Sequence, residues 1–422
     1  MTGALTLPHV FGIAERINQE SYVDRGGLDA QFRYALGTER HIAIHGESKQ
    51  GKSWLRSRML DEKSFVLVQC QHGTSVEGLF TDALAALGVR AELKATAGSE
   101  LEGTIELTGS AGVKAGLLGH LGIGLRTGGT RRRSRDTESQ PFGQTPGNIR
   151  WVAEAIRQSG RRLVIEDCHY LTDDCFKQLA FLLKALGAYG VHVIVVGIWP
   201  QDHLLTYYNG ELSSRIEDIH LRWSAEELDE VLQKGCRALN INLTPKLRND
   251  MVSDAGGNVG LLQSLVEQLC REEHITERQT GSPLLTSGPS LDRARHAVAL
   301  QMRFRFKAFV ENFDSSLYCA SEVSIVHREL LRILAASADE ELTTGINTVN
   351  LRDRIADDGR HSIGLTELQT ALEQVPAVQA RIAISPPVMI YNRYGQQVFL
   401  ADQSFLFYRR YGNPQWPWNG SP

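Results

Sequence analysis

Eight consecutive residues, Gly46-Glu47-Ser48-Lys49-Gln50-Gly51-Lys52-Ser53, have the types and spacing to bind phosphate. They fit G-x-x-x-x-G-K-[ST], a pattern that needs a strand before it and a helix after it. Gly46 and Gly51 let the backbone curl so that successive N–H groups point into one concavity that holds anionic oxygens. Lys52 can reach the outer phosphates of a nucleotide, and the Ser53 hydroxyl suits a magnesium position. The flanks agree with the requirement. His41–Ile44 (HIAI) is a short apolar run of the kind that forms a buried strand, and WLRSRML, from Trp54 onward, reads as a helix whose positive end faces the phosphates. The whole run Gly46, Glu47, Ser48, Lys49, Gln50, Gly51, Lys52, Ser53 and Trp54 is therefore read as a nucleotide cradle. A chance match in a glycine-rich chain is the alternative.

Nucleotide hydrolysis also needs a carboxylate on the magnesium and a group that orients the attacking water. Arg162–Tyr170 reads RLVIEDCHY, an apolar run ending in Glu166-Asp167. Ligands of open α/β sheets bind at the carboxyl ends of strands, where this acid pair falls. The alternative for Asp167 is a helix N-cap. Val66-Leu67-Val68, Val191–Gly197 and Ile219-His220-Leu221 are further strand candidates, and Thr172–Gly187 has helical spacing of Phe176, Leu179, Leu182, Leu183 and Leu186. Strands alternating with helices predict a parallel sheet covered on both faces. No Asn or Thr follows Val191–Gly197 to sense a γ-phosphate, which leaves Gln201 as the candidate. Arg215 precedes the last strand, where it could act on a neighbouring subunit or pair with Glu217 or Asp218.

These features together resemble the AAA+ and STAND ATPases, of the kind related to origin-recognition proteins, over roughly Phe11 to Cys270. The resemblance implies an α/β fold: a P-loop NTPase core with a parallel sheet, a helical lid and a C-terminal winged-helix domain. It implies ATP and Mg2+ as cofactors and an ATPase of slow turnover. Glu166 then stands at the magnesium-associated position of a Walker B element, with Asp167 as the water-activating residue. Tyr22, Val23 and Arg25 fall in the adenine-side segment, the Val23 backbone toward the base and Arg25 near the phosphates. Arg215 takes the place of the arginine finger. The lid begins at Ile219–Leu232 and continues through Gly256-Gly257-Asn258-Val259-Gly260, where Val259 and Gly260 stand in place of a sensing arginine.

Composition sets the class. The chain has 422 residues, enough for two or three domains, and 42% hydrophobic with 22% charged residues is an ordinary globular mix. A net charge of −4 gives no overall nucleic-acid footprint. Six cysteines lie scattered without a C-x-x-C pair, which argues against a disulfide framework or a zinc site and fits a reducing cytosol. The start, MTGALTLPHVFGIAER, lacks the pattern of a signal peptide, and no long apolar run suggests a membrane span, so the expectation is a cytoplasmic protein without membrane contact.

The domains are expected at 1–222 for the core, with a glycine-rich insertion at about 91–147, then 223–275 for the lid, 276–295 for a linker and 296–422 for helices plus the winged helix. From Ile105 to Leu125 small or apolar residues alternate with others, a period-two signal that predicts a hairpin bending near Gly109–Gly112 or Gly116–Gly119. It packs on its own core, is simply mobile, or offers an edge to another subunit or partner. The basic run Arg131-Arg132-Arg133-Ser134-Arg135 is a solvated linker or a nucleic-acid contact.

In the C-terminal third, Leu291–Phe313 predicts a helix anchored by Phe304, Phe306, Phe309 and Phe313. Three short helices and a hairpin with its turn at Arg393–Gln396 follow. The third of these helices, Leu365–Glu373, carries Glu367 and Glu373 and no basic residue, which favours protein contact or autoinhibition over DNA reading. The sequence thus supports an ATP-dependent switch coupled to homo-oligomer formation or a partner protein, in defence or signalling. A DNA-associated ATPase of the transposition or replication-loader type, and a module that holds nucleotide without turnover, are the alternatives.

Overall fold

The computed structural model describes residues 5–13, 18–94, 102–107, 145–199, 201–313, 321–357, 363–393, 395–416 and 418. In chain order the strands of the first half are β1 (His41–His45), β2 (Phe65–Gln69), β3 (Val89–Lys94), β4 (Glu102–Leu107), β5 (Arg162–Glu166), β6 (Ile194–Val196) and β7 (Ile216–His220). Five of them form one sheet in the order β2-β5-β6-β1-β7, every pair parallel. Such a sheet is buried on both faces, which is why β1, β5 and β6 read as continuous apolar runs. Alternate residues divide between two cores. Ala43, Val66, Leu163, Ile165 and Val195 face the helices Val76–Ala86, Ile149–Ser159 and Asp173–Ala188. Ile42, Ile44, Val164, Ile194 and Ile219 face Phe32 and Leu55 on the helices Leu28–Leu36 and Lys52–Met59.

The insertion differs from expectation in register. β3 and β4 pair antiparallel from Val89↔Leu107 to Lys94↔Glu102, so the described hairpin lies upstream of the glycines proposed for its bend. Those glycines and the basic run Arg131–Arg135 lie outside the described residues. Val89–Lys94 (VRAELK) itself alternates apolar and charged residues, a period-two signal that the reading beginning at Ile105 passed over.

After β7, Trp223 leads into the helix Ala225–Leu239, whose start is fixed by a reciprocal capping box between Ser224 and Glu227. With Pro245–Ala255 and Val259–Glu272 it forms a helical layer around Leu228, Leu232, Leu262, Leu265 and Val266. The N-terminal helix Leu7–Phe11 inserts into the same core. Gly235 is required there, since a Cβ on it would lie 2.1 Å from Phe11 Cζ. The stretch read as linker is structured: β8 (Asn242–Leu243) pairs with β9 (Leu284–Leu285), and a helix starts at Pro289.

That helix, Pro289–Asn312, is 24 residues long and serves two cores. Leu291, Ala294 and Val298 pack with the helical layer. Phe306, Phe309 and Phe313 pack with the C-terminal elements. Phe304 was expected beside them but is 92% exposed. Its two-residue offset from Phe306 turns it through about 200° of helix, onto the far side. The C-terminal order is Ser321–Ala336, Asp339–Thr344, β10 (Ile346–Asn347), Thr348–Asp357, Leu365–Glu373, Val375–Arg381, β11 (Met389–Asn392), β12 (Gln397–Leu400) and Ser404–Tyr411. The strands form an antiparallel sheet, β10-β12-β11, with the β11–β12 hairpin where the sequence placed it. Among the described residues no helix is long and apolar enough to cross a membrane.

Candidate functional site

β1 delivers the chain to the phosphate loop and the helix Lys52–Met59 carries it away. Gly46 has φ +136°, and a Cβ there would sit 2.5 Å from the Leu221 carbonyl oxygen, so no other residue fits without moving the backbone. Gly51, also left-handed at φ +82°, turns the chain into the helix. Lys49 also holds a left-handed φ of 60°. The ammonium of Lys52 donates to the carbonyls of Gly46, at 3.3 Å, and Glu47. Burial lowers its pKa to about 8, while Glu47 and Asp167 pull it back up. A triphosphate beside it would favour the charged form further.

A cleft of about 530 Å³ opens over the loop. Ser48, Lys49, Gln50, Gly51, Lys52, Ser53 and Trp54 form its floor, and Asp167, His169 and Ile198 stand at the carboxyl ends of β5 and β6. Val259, Gly260 and Gln263 close it from the helical layer, and Pro386 from the C-terminal elements. Asp167 has φ 59°, a left-handed conformation that Asp tolerates. Its side chain caps nothing, whereas Thr172 caps the helix Asp173–Ala188, so the N-cap alternative belongs to Thr172. Burial and the neighbouring Glu166 raise the Asp167 carboxyl above its usual range, against the pull of Lys52.

Glu166 is placed differently. It is 7% exposed and its Oε1 accepts from Arg56 Nε at 2.6 Å. Arg56 stands one turn beyond Ser53 on the same helix, so the carboxylate expected to serve magnesium is instead held by a guanidinium. The donor set fits a magnesium site: a serine hydroxyl and two carboxylates at one strand end are hard oxygen ligands.

The adenine-side candidates lie around the loop rather than in the cleft. Tyr22 hydroxyl donates to Asp29, and burial raises its pKa. Val23 is buried with the helical layer. Arg25 Nη1 donates to the Gln50 carbonyl at 2.8 Å and its guanidinium lies 4.3 Å from the Trp223 ring centroid. Trp223 Nε1 reaches the same carbonyl at 3.3 Å. Burial lowers Arg25 to about 10. Arg25 thus braces the loop backbone from behind. Gln201 lines a second cleft, of about 480 Å³, not the one over the loop. Arg215 lies at the start of β7, where its carbonyl accepts from His41 N at 2.8 Å. That is the end of the sheet opposite the phosphate loop. Its side chain is exposed, while Glu217 pairs with Arg40 and Asp218 with His45.

Further contacts join the loop to the helical layer and to the C-terminal elements. Asn258 Nδ2 donates to the Ser48 carbonyl (3.3 Å) while its Oδ1 caps Leu261. Gln50 Nε2 donates to the Gly257 carbonyl at 3.0 Å. From the C-terminal end, Gln403 Nε2 donates to Glu47 Oε1 at 2.5 Å and Ser48 N approaches the Ala401 carbonyl at 3.4 Å. Burial pushes the Glu47 carboxyl up to about 7, against the hydrogen bonds from Gln403 and Gln50. His169, missed in the sequence, is held neutral: burial, with the charges of Lys52 and His72, lowers it to about 3. It stands two residues beyond Asp167, so the strand end itself was the signal. Gln263, Pro386, Trp223 and Gln403 have no local signal, because only folding brings them to the loop.

Residues 35–205 match the family described as AAA domain. No curated protein matches the chain. Among solved structures the chain is similar to Cdc6p from Pyrobaculum aerophilum, with 10% identity over 96% of this chain and 97% of that one and a TM-score of 0.39. It is also similar to the ORC1 protein of Aeropyrum pernix in complex with DNA, with 11% identity over 91% and 90% and a TM-score of 0.37. A STAND protein with a tetratricopeptide repeat sensor from Pyrococcus horikoshii gives 12% identity over 93% of this chain and 42% of that one, with a TM-score of 0.38. Likeness at this level carries no function across.

Proposed function

We propose that this chain, which carries a P-loop ATPase core of the AAA+ class, is a slow ATP-dependent switch whose nucleotide state sets how its C-terminal elements sit on the phosphate loop. The observation that carries this reading is the contact of Gln403, Ala401 and Pro386 with the loop and its cleft. A group that rests on the phosphate loop in one state and leaves it in another gives nucleotide different affinities for the two, as a population shift requires.

In this reading the loop N–H groups and Lys52 hold the triphosphate, and Ser53 with Glu166 hold magnesium. Magnesium bound there would neutralise charge on the outer phosphates. Asp167 orients water; its raised proton affinity suits a group that takes a proton as the oxygen attacks. Glu166 must leave Arg56 to serve, and Asp167 is shorter than a glutamate, which together favour slow turnover. Arg215 is exposed and unclaimed by Glu217 or Asp218, as a residue offered to a neighbouring subunit should be. We read the C-terminal helices and three-stranded sheet as a winged helix that contacts protein, since the order of helices and strands suits it and Leu365–Glu373 has no basic residue.

The test is to size the full chain with ATP, with ADP and without nucleotide, for wild type, Lys52→Ala and Asp167→Asn. Lys52→Ala should abolish nucleotide binding, and Asp167→Asn should bind ATP and hold it unhydrolysed in the ATP-state assembly. Identical size distributions with ATP and ADP would defeat the switch. Hydrolysis stimulated by DNA would establish the DNA-associated alternative in its place.

A further inference from the structure

At the root of the phosphate loop, outside the cleft, two histidines and two aspartates converge from three elements. His45 ends β1, His220 ends β7, Asp202 lies in the segment after β6, and Asp218 is on β7. His45 is fully buried and its ring stacks on Trp199 at 5.2 Å. Its Nδ1 lies 3.0 Å from the Trp199 carbonyl oxygen. A carbonyl only accepts, so Nδ1 carries the proton and Nε2 faces the carboxylates. Nε2 is 3.9 Å from Asp202 Oδ1 and 3.0 Å from Asp218 Oδ2. His220 Nδ1 bonds the same Asp202 oxygen. The ligand atoms of His45, Asp202 and His220 all lie within 4.8 Å of one another.

We propose that His45 Nε2, His220 Nδ1 and Asp202 Oδ1 form a binding site for a divalent transition-metal ion, zinc being the simplest occupant. Two imidazoles and one carboxylate are the donors zinc takes, with a fourth position left for water. Imidazole nitrogen favours zinc over magnesium, which prefers oxygen. The hydrogen bond from His45 Nδ1–H to a backbone carbonyl is the outer contact that orients a ligating histidine and fixes its tautomer. Asp218 supplies a second carboxylate against His45 and is itself held by the His203 N–H at 2.9 Å. Arg222 is a guanidinium against the cluster: Nη2 lies 3.0 Å from His220 Nδ1 and 3.9 Å from Asp202 Oδ1, and Nε donates to His220 Nε2 at 3.1 Å. Its side chain is 71% exposed, so it can swing away when the metal enters.

The position gives such a metal a structural role. The chain leaves β1 at His45 directly into Gly46, and leaves β7 at His220 through Leu221, which abuts Gly46, to Trp223, which holds Gln50. One ion would tie the root of the phosphate loop to the start of the helical layer. The inference does not rest on the nucleotide reading, because none of its ligands lines the nucleotide cleft.

The experiment uses the full chain, stripped with a chelator and titrated with zinc sulfate against a chromophoric competitor, with metal content measured after gel filtration. Wild type and Lys52→Ala should each retain about one zinc per chain, undisplaced by millimolar magnesium. Asp202→Ala and His220→Ala should weaken binding at least about tenfold. Asp202 is half exposed, so that variant should keep its fold, which circular dichroism checks. Arg222→Ala should tighten binding, because it removes the competing cation. Failure of the wild type to retain zinc, or affinity in Asp202→Ala and His220→Ala equal to wild type, overturns the proposal.

Discussion

Arg56→Gln is the sharpest test of the proposed magnesium role of Glu166. The Arg56–Glu166 pair spans 2.6 Å, with side chains only 13% and 9% exposed. Arg56 also lies 5.0 Å from the Phe65 ring centroid. Removing one partner of a buried ion pair strands the other charge and costs about 3–5 kcal/mol. The partial exposure of both groups puts the cost here near the lower figure, about 3 kcal/mol. In a unit of this size each kcal/mol moves the melting temperature by about 2–4 °C, so Arg56→Gln should melt roughly 6–12 °C below wild type in chelator. A divalent cation on Glu166 replaces the lost positive charge in the variant. In wild type it must first displace Arg56. Magnesium with ATP should therefore raise the melting temperature of Arg56→Gln more than that of wild type, by about half of the original deficit or more. ATP with chelator should show no such excess, and adding Glu166→Gln should remove it. Scanning calorimetry on the full chain reads all of these. Equal magnesium-dependent gains in wild type and Arg56→Gln would refute the assignment of Glu166 to magnesium.

Two other contacts make separate predictions. His41 is buried, its Nδ1 accepts from Val193 N at 3.0 Å, and burial with the nearby His192 lowers its pKa to about 4. The unfolded chain, titrating near 6.5, binds the proton first, so stability is fully present above that value and is lost as pH falls toward 4. His41→Asn keeps an acceptor at the Nδ1 position and does not titrate. Between about pH 7 and about pH 5 wild type should lose about 2 kcal/mol more than this variant in denaturant unfolding, and parallel losses would count against the burial argument. Gln403→Ala removes the hydrogen bond to Glu47, worth about 1–3 kcal/mol. Release of a fluorescent ATP analogue should change by about fivefold to 150-fold, and an unchanged rate would show that this contact is no latch.

The phosphate loop was legible because its chemistry is local: two glycines, a lysine and a serine act within one turn of chain. The sheet was legible because β1, β5 and β6 are buried on both faces and so read as unbroken apolar runs. Contacts made across the fold left no such trace. Asp202, His220 and His45 meet only because β1, β6 and β7 are neighbours in the sheet, and Gln403 meets Glu47 only after the whole chain has folded. Glu166 was placed correctly at its strand end, but its partner Arg56 looked like an ordinary helix-surface residue. The helix read as Leu291–Phe313 was legible, but the linker reading of 276–295 hid that it starts at Pro289 and that its first turns are packed. A linker would let the C-terminal elements move freely of the helical layer. Instead one helix buries Leu291, Ala294 and Val298 in that layer and Phe306, Phe309 and Phe313 in the C-terminal core. The layer touches the loop through Asn258 and Gly257, and the C-terminal elements touch it through Gln403 and Ala401. In the proposed switch, this helix is the packed element common to both contacts, so a shift of Asn258 as phosphates entered the loop would reach Gln403 through it, and nucleotide would act on the two contacts together.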